Sequence, residues 1–189
     1  AIRFDKKAVY TITVIGSPSA FLLHGYVGFI FGSVKANPWW SSVLMPIVFL
    51  FSAIVSGIAL VLILYYLASM FRQRTPDMPC MNKLSGFLFY ALIVDFSLEL
   101  LDFIHRLYES EESIKILSQM VFSKLFVSLT VVQILLGTII PLVTLALARF
   151  SKIPSELKRN AYFIAALLVQ VGIFSTRWNV VVGGQLFSK

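Results

Sequence analysis

Residues 84–108 read LSGFLFYALIVDFSLELLDFIHRLY. The run is long and apolar enough to cross a bilayer as a helix, which takes about 20 residues. It nonetheless carries Asp95, Glu99 and Asp102. At i, i+4 and i+7 these three fall on one face of a helix. Carboxyls inside a span are costly unless they face protein, water or a partner. The stretch therefore implies a bundle in which other helices cover this stripe, and function is expected to run along it.

Composition supplies those helices. The 189 residues are 58% hydrophobic and 13% charged, with a mean hydropathy of +0.86. Soluble domains sit nearer 45–50% apolar and roughly 25% charged. The expected fold is all-α, a polytopic transmembrane helix bundle. The formal net charge of +7 does not indicate nucleic acid, because the basic residues scatter at helix ends and form no stripe. The single Cys80 sits beside Pro79 in a loop and reads as an idle thiol. His24 and His105 are too few for a haem framework that needs axial pairs. No haem or metal is expected, and no phosphate loop, metal-ligand cluster or nucleophile constellation is visible. No signal peptide is visible and no initiator Met is present, so the chain reads as a segment of a longer one.

Five spans follow from a window of about 20 residues. They cover approximately residues 8–33, 43–71, 84–107, 118–148 and 160–182 of a single transmembrane domain, residues 1–189. No period of 20–50 residues repeats. The segments TPDMPCMNK (75–83) and SKIPSELKR (151–159) read as connectors. Arg3, Lys6, Lys7, Arg72, Arg74, Lys83, Arg149, Lys152, Lys158 and Arg159 collect on one side. Lys35, Arg106, Lys115, Lys124, Arg177 and Lys189 fall on the other, together with Glu109, Glu111 and Glu112. The richer side is expected to be cytoplasmic, which puts the start of the segment inside. Trp39, Trp40 and Trp178 then form an aromatic belt at the outer interface.

The candidate residues follow from these positions. In the first span Pro18 removes a backbone hydrogen bond and marks a break. His24 lies outward of it, and an intramembrane histidine can relay protons or fix packing. Ser52 and Ser56 have the small-xxx-small spacing of helix packing. Asp95, Glu99 and Asp102 form a ladder from the bilayer centre to one face, as a proton path requires; His105 and Arg106 continue it to the surface. Gln133, Gly137 and Pro141 share a face that can meet the carboxyl stripe. Arg177 reads as an interfacial anchor that can also pair with Asp102.

The runs LLHGYVGFIFGSVKANPWW (22–40), LMPIVFLFSAIVSGIAL (44–60) and RWNVVVGGQ (177–185) resemble NrfD-type subunits. This is the polysulfide reductase membrane-subunit family of quinone oxidoreductases. The resemblance implies a longer protein of about eight to ten helices in two four-helix bundles. The present chain looks like its C-terminal half, a four-helix bundle plus an additional helix. It further implies a menaquinone or other quinone site near the periplasmic side, next to an iron–sulfur subunit, in a bacterial or archaeal inner membrane. His24 matches a histidine associated with the quinone site in hydrogenase-type members. Membrane subunits of this family hold no haem.

The expected function is a quinone- or quinol-reactive membrane subunit of a respiratory complex. His24 is its hydrogen-bond donor or proton acceptor, and Asp95, Glu99 and Asp102 are its proton path. An iron–sulfur partner would dock around Trp39, Trp40 and Arg177. A secondary transporter using the same carboxylates, or a purely structural anchor, are the alternatives. The transporter requires helices broken in paired positions.

Overall fold

A computed structural model describes residues 2–35, 37, 39–109, 114–115, 118–119, 121–122, 125–151 and 153–186. Its architecture is five long helices, with no strand among the described residues. They are α1 (Ile2–Gly32), α2 (Met45–Phe71), α3 (Met78–Glu109), α4 (Phe126–Phe150) and α5 (Ser155–Gly183). Four are long and apolar enough to cross a membrane: α2, α4, α5 and α1 from Lys6 onward. The remaining helix, α3, has the length, at 32 residues, and carries the three carboxyls.

Both expected connectors contribute helical turns. Residues 78–83 open α3, where Pro79 falls in the first turn and the missing N–H is one the helix would leave unbonded anyway. The Met81 N–H closes on the Asp77 carbonyl at 3.1 Å. Likewise α5 begins at Ser155, directly after Pro154, five residues before the expected start of that span. At Pro18, α1 runs on without interruption. Glu111, Glu112, Lys124, Lys152 and Lys189, on which part of the charge reading rests, lie outside the described residues, as does part of the expected start of the fourth span.

The departures from α-helical geometry lie elsewhere. The first part of α4, Phe126–Ile139, is π-helical and the rest, Ile140–Phe150, is α-helical. The change occurs beside Pro141, which has no N–H to return to the Gly137 carbonyl, while the Ile140 N–H reaches back to Leu135 O. A second π-helical stretch, Asn179–Gly183, ends α5. Such widened turns often accompany functional sites.

Helices α2 to α5 close on one another. α2 packs on α3 and α5, α4 packs on α5, and α3 packs on the Ile140–Phe150 half of α4. Val55, Ala59, Leu62, Leu88, Leu92, Leu145, Tyr162, Ala166 and Val169 fill the core at the end remote from Trp39. Small residues let the backbones approach, most closely where Gly137 of α4 meets Gly172 of α5. α1 packs on α2 and leaves Val9, Ile12, Leu22 and Tyr26 exposed, as suits a helix in contact with lipid.

Candidate functional site

The helical register of α3 carries Asp95, Glu99, Asp102 and Arg106 up one face into the bundle. Asp95, the deepest, is 4% exposed, and its Oδ1 has no hydrogen-bond partner. Its charged neighbours are Glu99 and Arg177. Glu99 Oε1 accepts from Gln133 Nε2 of α4 and from Thr176 Oγ1 of α5, each at 3.5 Å. Both contacts are long for hydrogen bonds and leave the carboxylate loosely held.

The polar chain continues behind Glu99. Asn179 Nδ2 donates to Gln133 Oε1 at 2.9 Å, and Ser128 Oγ donates to Asn179 Oδ1 at 2.5 Å. Ser175 Oγ donates to the Ser128 carbonyl at 2.8 Å. The π-helical half of α4 places both Ser128 and Gln133 in this network. Thr176 and Asn179, one turn apart on α5, are its other anchors. Their trace in the sequence is the polar run STRWN (175–179), which does not say that Thr176 and Asn179 turn towards Glu99, and the chain gives no sign of the π-turns.

Asp102 has a different environment. Arg106 donates to its Oδ2 through Nε at 2.9 Å and Nη2 at 2.8 Å, and the Ser42 hydroxyl donates to Oδ1. Arg106 Nη1 also reaches the Trp39 carbonyl, with the guanidinium carbon 5.0 Å from the Trp39 ring centroid. At 2% exposure Arg106 is buried rather than interfacial. It, and not Arg177, is the partner of Asp102. Arg177 instead donates to Ser52 Oγ at 3.3 Å and lies over Phe49 at 5.2 Å. Ser52, expected to serve packing alone, thus has a polar role.

These groups enclose a cavity of about 300 Å³ among α2, α3, α4 and α5 at the Trp39 end of the bundle. Its walls include Phe49, Phe96, Phe103 and Leu129, and its polar lining includes Glu99, Gln133, Thr176, Asp102, Arg106 and Arg177. Leu100, 48% exposed, is also a lining residue, so the cavity reaches the bundle surface beside α3. Trp39 lines the cavity, while Trp40 packs on Phe31 outside it. Both indoles are held by the π-helical end of α5: Trp39 Nε1 donates to Asn179 O at 3.2 Å and Trp40 Nε1 to Val180 O at 2.6 Å. Asn37 completes the clasp by donating to Gly184 O at 2.7 Å.

Of the residues singled out from sequence, Trp39, Ser52, Glu99, Asp102, Arg106, Gln133 and Arg177 share this cavity, and Asp95 sits one turn below. His24 does not join them. It lines a separate groove of about 340 Å³ between α1 and α2, with Nδ1 2.9 Å from Ala20 O. Arg177 lines both voids.

A selenate reductase subunit from Mesobacillus selenatarsenatis is 31% identical to this chain over 178 residues. The match takes in 93% of the chain and 39% of the relative, so the chain spans about two fifths of that protein's length. No solved structure matches the chain. The family model for polysulphide reductase, NrfD, matches residues 1–189. With five long helices, four of them closed on a carboxyl stripe, the chain is a multi-pass membrane protein that belongs to the NrfD polysulphide reductase family.

Proposed function

We propose that the chain forms part of a membrane subunit that exchanges electrons between a quinone pool, menaquinone or another quinone, and an iron–sulfur partner at the Trp39 end of the bundle. The observation that carries this reading is the cavity. It combines aromatic and aliphatic walls with two polar clusters, one around Glu99 and one around Asp102. An apolar slot with a few placed polar groups is the usual form of a small-molecule site. The donor set fits a ring bearing two oxygens. Gln133 and Thr176 bring N–H and O–H groups, and Glu99 brings an acceptor. The relative's name, a subunit of selenate reductase, supports membership of an oxidoreductase complex.

A bound quinol supplies two electrons and two protons. The residues of this chain manage the protons and the geometry. Phe49, Phe96 and Phe103 keep the slot dry. Gln133 and Thr176 orient Glu99, and Asn179 fixes Gln133. Glu99 is the acid–base group of the site, because its weak contacts leave it able to exchange a proton. Asp95 is the deepest relay, and Asp102, beside the Trp39 loop, is the step nearest that end. Asp95, Glu99 and Asp102 face two guanidiniums, Arg106 and Arg177, which leaves one carboxyl without a cationic counterpart. The distribution of Lys and Arg supports an inner-membrane orientation with the start of α1 cytoplasmic and the Trp39 end periplasmic. Trp39, Trp40 and Arg177 then mark the partner's side.

The test is quinol-analogue binding to the intact purified complex, read by fluorescence quenching. Saturable binding that is lost in the cavity-filling variant Leu129→Trp and kept in His24→Ala supports the cavity. Loss in His24→Ala alone moves the ligand to the α1–α2 groove. Absence of binding to an intact complex favours a carboxylate-based transporter or a structural anchor.

A further inference from the structure

α1 and α2 touch at one end and part at the other. At the Trp39 end, a Cβ added to Gly28 would lie 2.6 Å from Pro46 Cα, and one added to Gly32 would lie 2.6 Å from Ser42 O. Two turns or more along α2, Gly57 has nothing within 4 Å of an added Cβ. The space between is the groove of about 340 Å³, lined by Ala20, Leu50, Ala53 and Gly57 along its length and by His24 and Arg177. We propose that this wedge binds an anionic phospholipid, with one acyl chain along the apolar lining, the phosphate on Arg177 and a headgroup hydroxyl on His24.

Chemistry and depth both select that occupant. Apart from the Phe21 ring, the apolar lining is small or aliphatic and matches the width of a methylene chain. The guanidinium of Arg177 has five N–H donors and spends one on Ser52 at 3.3 Å. Asp95 is a charged neighbour of Arg177, yet Asp95 Oδ1 accepts no hydrogen bond, so the pair has not closed. In His24, Nδ1–H donates to Ala20 O, which leaves Nε2 as an acceptor for a headgroup hydroxyl rather than for the phosphate. His24 lies eight residues from the Gly32 end of α1 and Arg177 six residues from the Gly183 end of α5, about 12 and 9 Å along the axes. α2, at 27 residues, spans about 40 Å against a hydrocarbon core of about 30 Å, so both groups lie just inside the core boundary. A free anion does not partition to that depth, whereas a lipid phosphate drawn in by an arginine does. Arg177 lines the cavity as well, so an anion here neutralises a cation at the edge of the Glu99 site.

The test uses the purified complex in phosphatidylcholine nanodiscs carrying a trace of acyl-chain spin-labelled phosphatidylglycerol. The expected result is a motionally restricted signal stronger than that of spin-labelled phosphatidylcholine. Arg177→Gln should weaken the preference about fivefold. Ala53→Phe, which fills the groove and keeps every charge, should abolish it. Equal signals from the two lipids, or a preference that survives Ala53→Phe, would overturn the proposal. So would displacement of the label by a quinol analogue, which would assign the groove to the path of the cavity's ligand. None of these readouts depends on turnover, so failure here leaves the cavity's function standing.

Discussion

Arg106 gives two N–H groups to one oxygen of Asp102, Nε at 2.9 Å and Nη2 at 2.8 Å, one turn apart on α3, with the arginine buried and the carboxylate 13% exposed. With Ser42 on the other Asp102 oxygen and Trp39 on Nη1, the pair bolts α3 to the loop between α1 and α2. The wall of the cavity at that end is therefore an ion pair braced by the Ser42 hydroxyl and the Trp39 carbonyl.

The bolt should behave as a buried pair. Arg106→Leu leaves the Asp102 carboxylate without its cation and is expected to cost about 3–5 kcal/mol. The double variant Arg106→Leu/Asp102→Leu removes both charges and should recover most of that loss. Thermal unfolding of the purified protein in detergent checks this. Equal losses in the single and double variants would mean that the stability comes from packing of the long side chain.

Gly137 and Gly172 should tolerate no side chain. A Cβ on either would overlap the backbone of the other helix, which cannot yield as a flexible side chain can. Gly137→Ala and Gly172→Ala are each expected to cost about 1–3 kcal/mol by overpacking and to widen the α4–α5 crossing next to Gln133. Gly16→Ala, with open space around the new Cβ, is the control and should be neutral or slightly stabilising through its gain in helix propensity. Comparable melting shifts in all three would count against the close crossing.

The stripe on α3 is legible in the sequence because helical spacing alone aligns positions 95, 99 and 102 and because charge in a span demands cover. The choice between Arg106 and Arg177 for Asp102 is not. Both lie near the Trp39 end, and only the folded bundle reveals that the i+4 neighbour wins while Arg177 is drawn to Ser52. The π-turns of α4 and α5 leave no residue signature, yet they set the positions of Gln133, Ser128 and Asn179 around Glu99. The polar starts of α3 and α5 read as loops because Pro and charged residues serve equally well in a connector and in a first helical turn. His24 groups with the carboxyls on chemistry alone. An apolar helix such as α1 does not say which neighbour it packs on, and its partner α2 separates the histidine from the cavity.

Asn179 should act through Gln133. It is 1% exposed, donates to Gln133 Oε1 and accepts from Ser128. Asn179→Leu strands both partners and is expected to cost about 2–4 kcal/mol. Asn179→Asp keeps the acceptor for Ser128 and loses the donor to Gln133. The new carboxylate is also buried without a cation, so stability falls too, and a positioning role shows as a loss of quinol turnover in the intact complex beyond what the melting shift accounts for. If melting and turnover fall in proportion for both variants, Asn179 has no positioning role beyond holding the fold.

Glu99 and Asp95 should separate function from assembly. Glu99→Gln keeps the shape of the side chain and its Oε1 acceptor for Gln133 and Thr176, and removes the proton exchange. Loss of a positioned acid–base group lowers turnover by about 10²–10⁴-fold, while binding of a quinol analogue in the same complex should change little, because the cavity walls are intact. Asp95→Asn removes a buried charge whose Oδ1 has no hydrogen-bond partner, so assembly is expected to survive or improve, and any loss of turnover then reports a relay. Steady-state quinol oxidation beside analogue binding distinguishes the cases. A Glu99→Gln complex that turns over at the wild-type rate would remove Glu99 from the proton path and leave its contacts with Gln133 and Thr176 as packing between α3, α4 and α5.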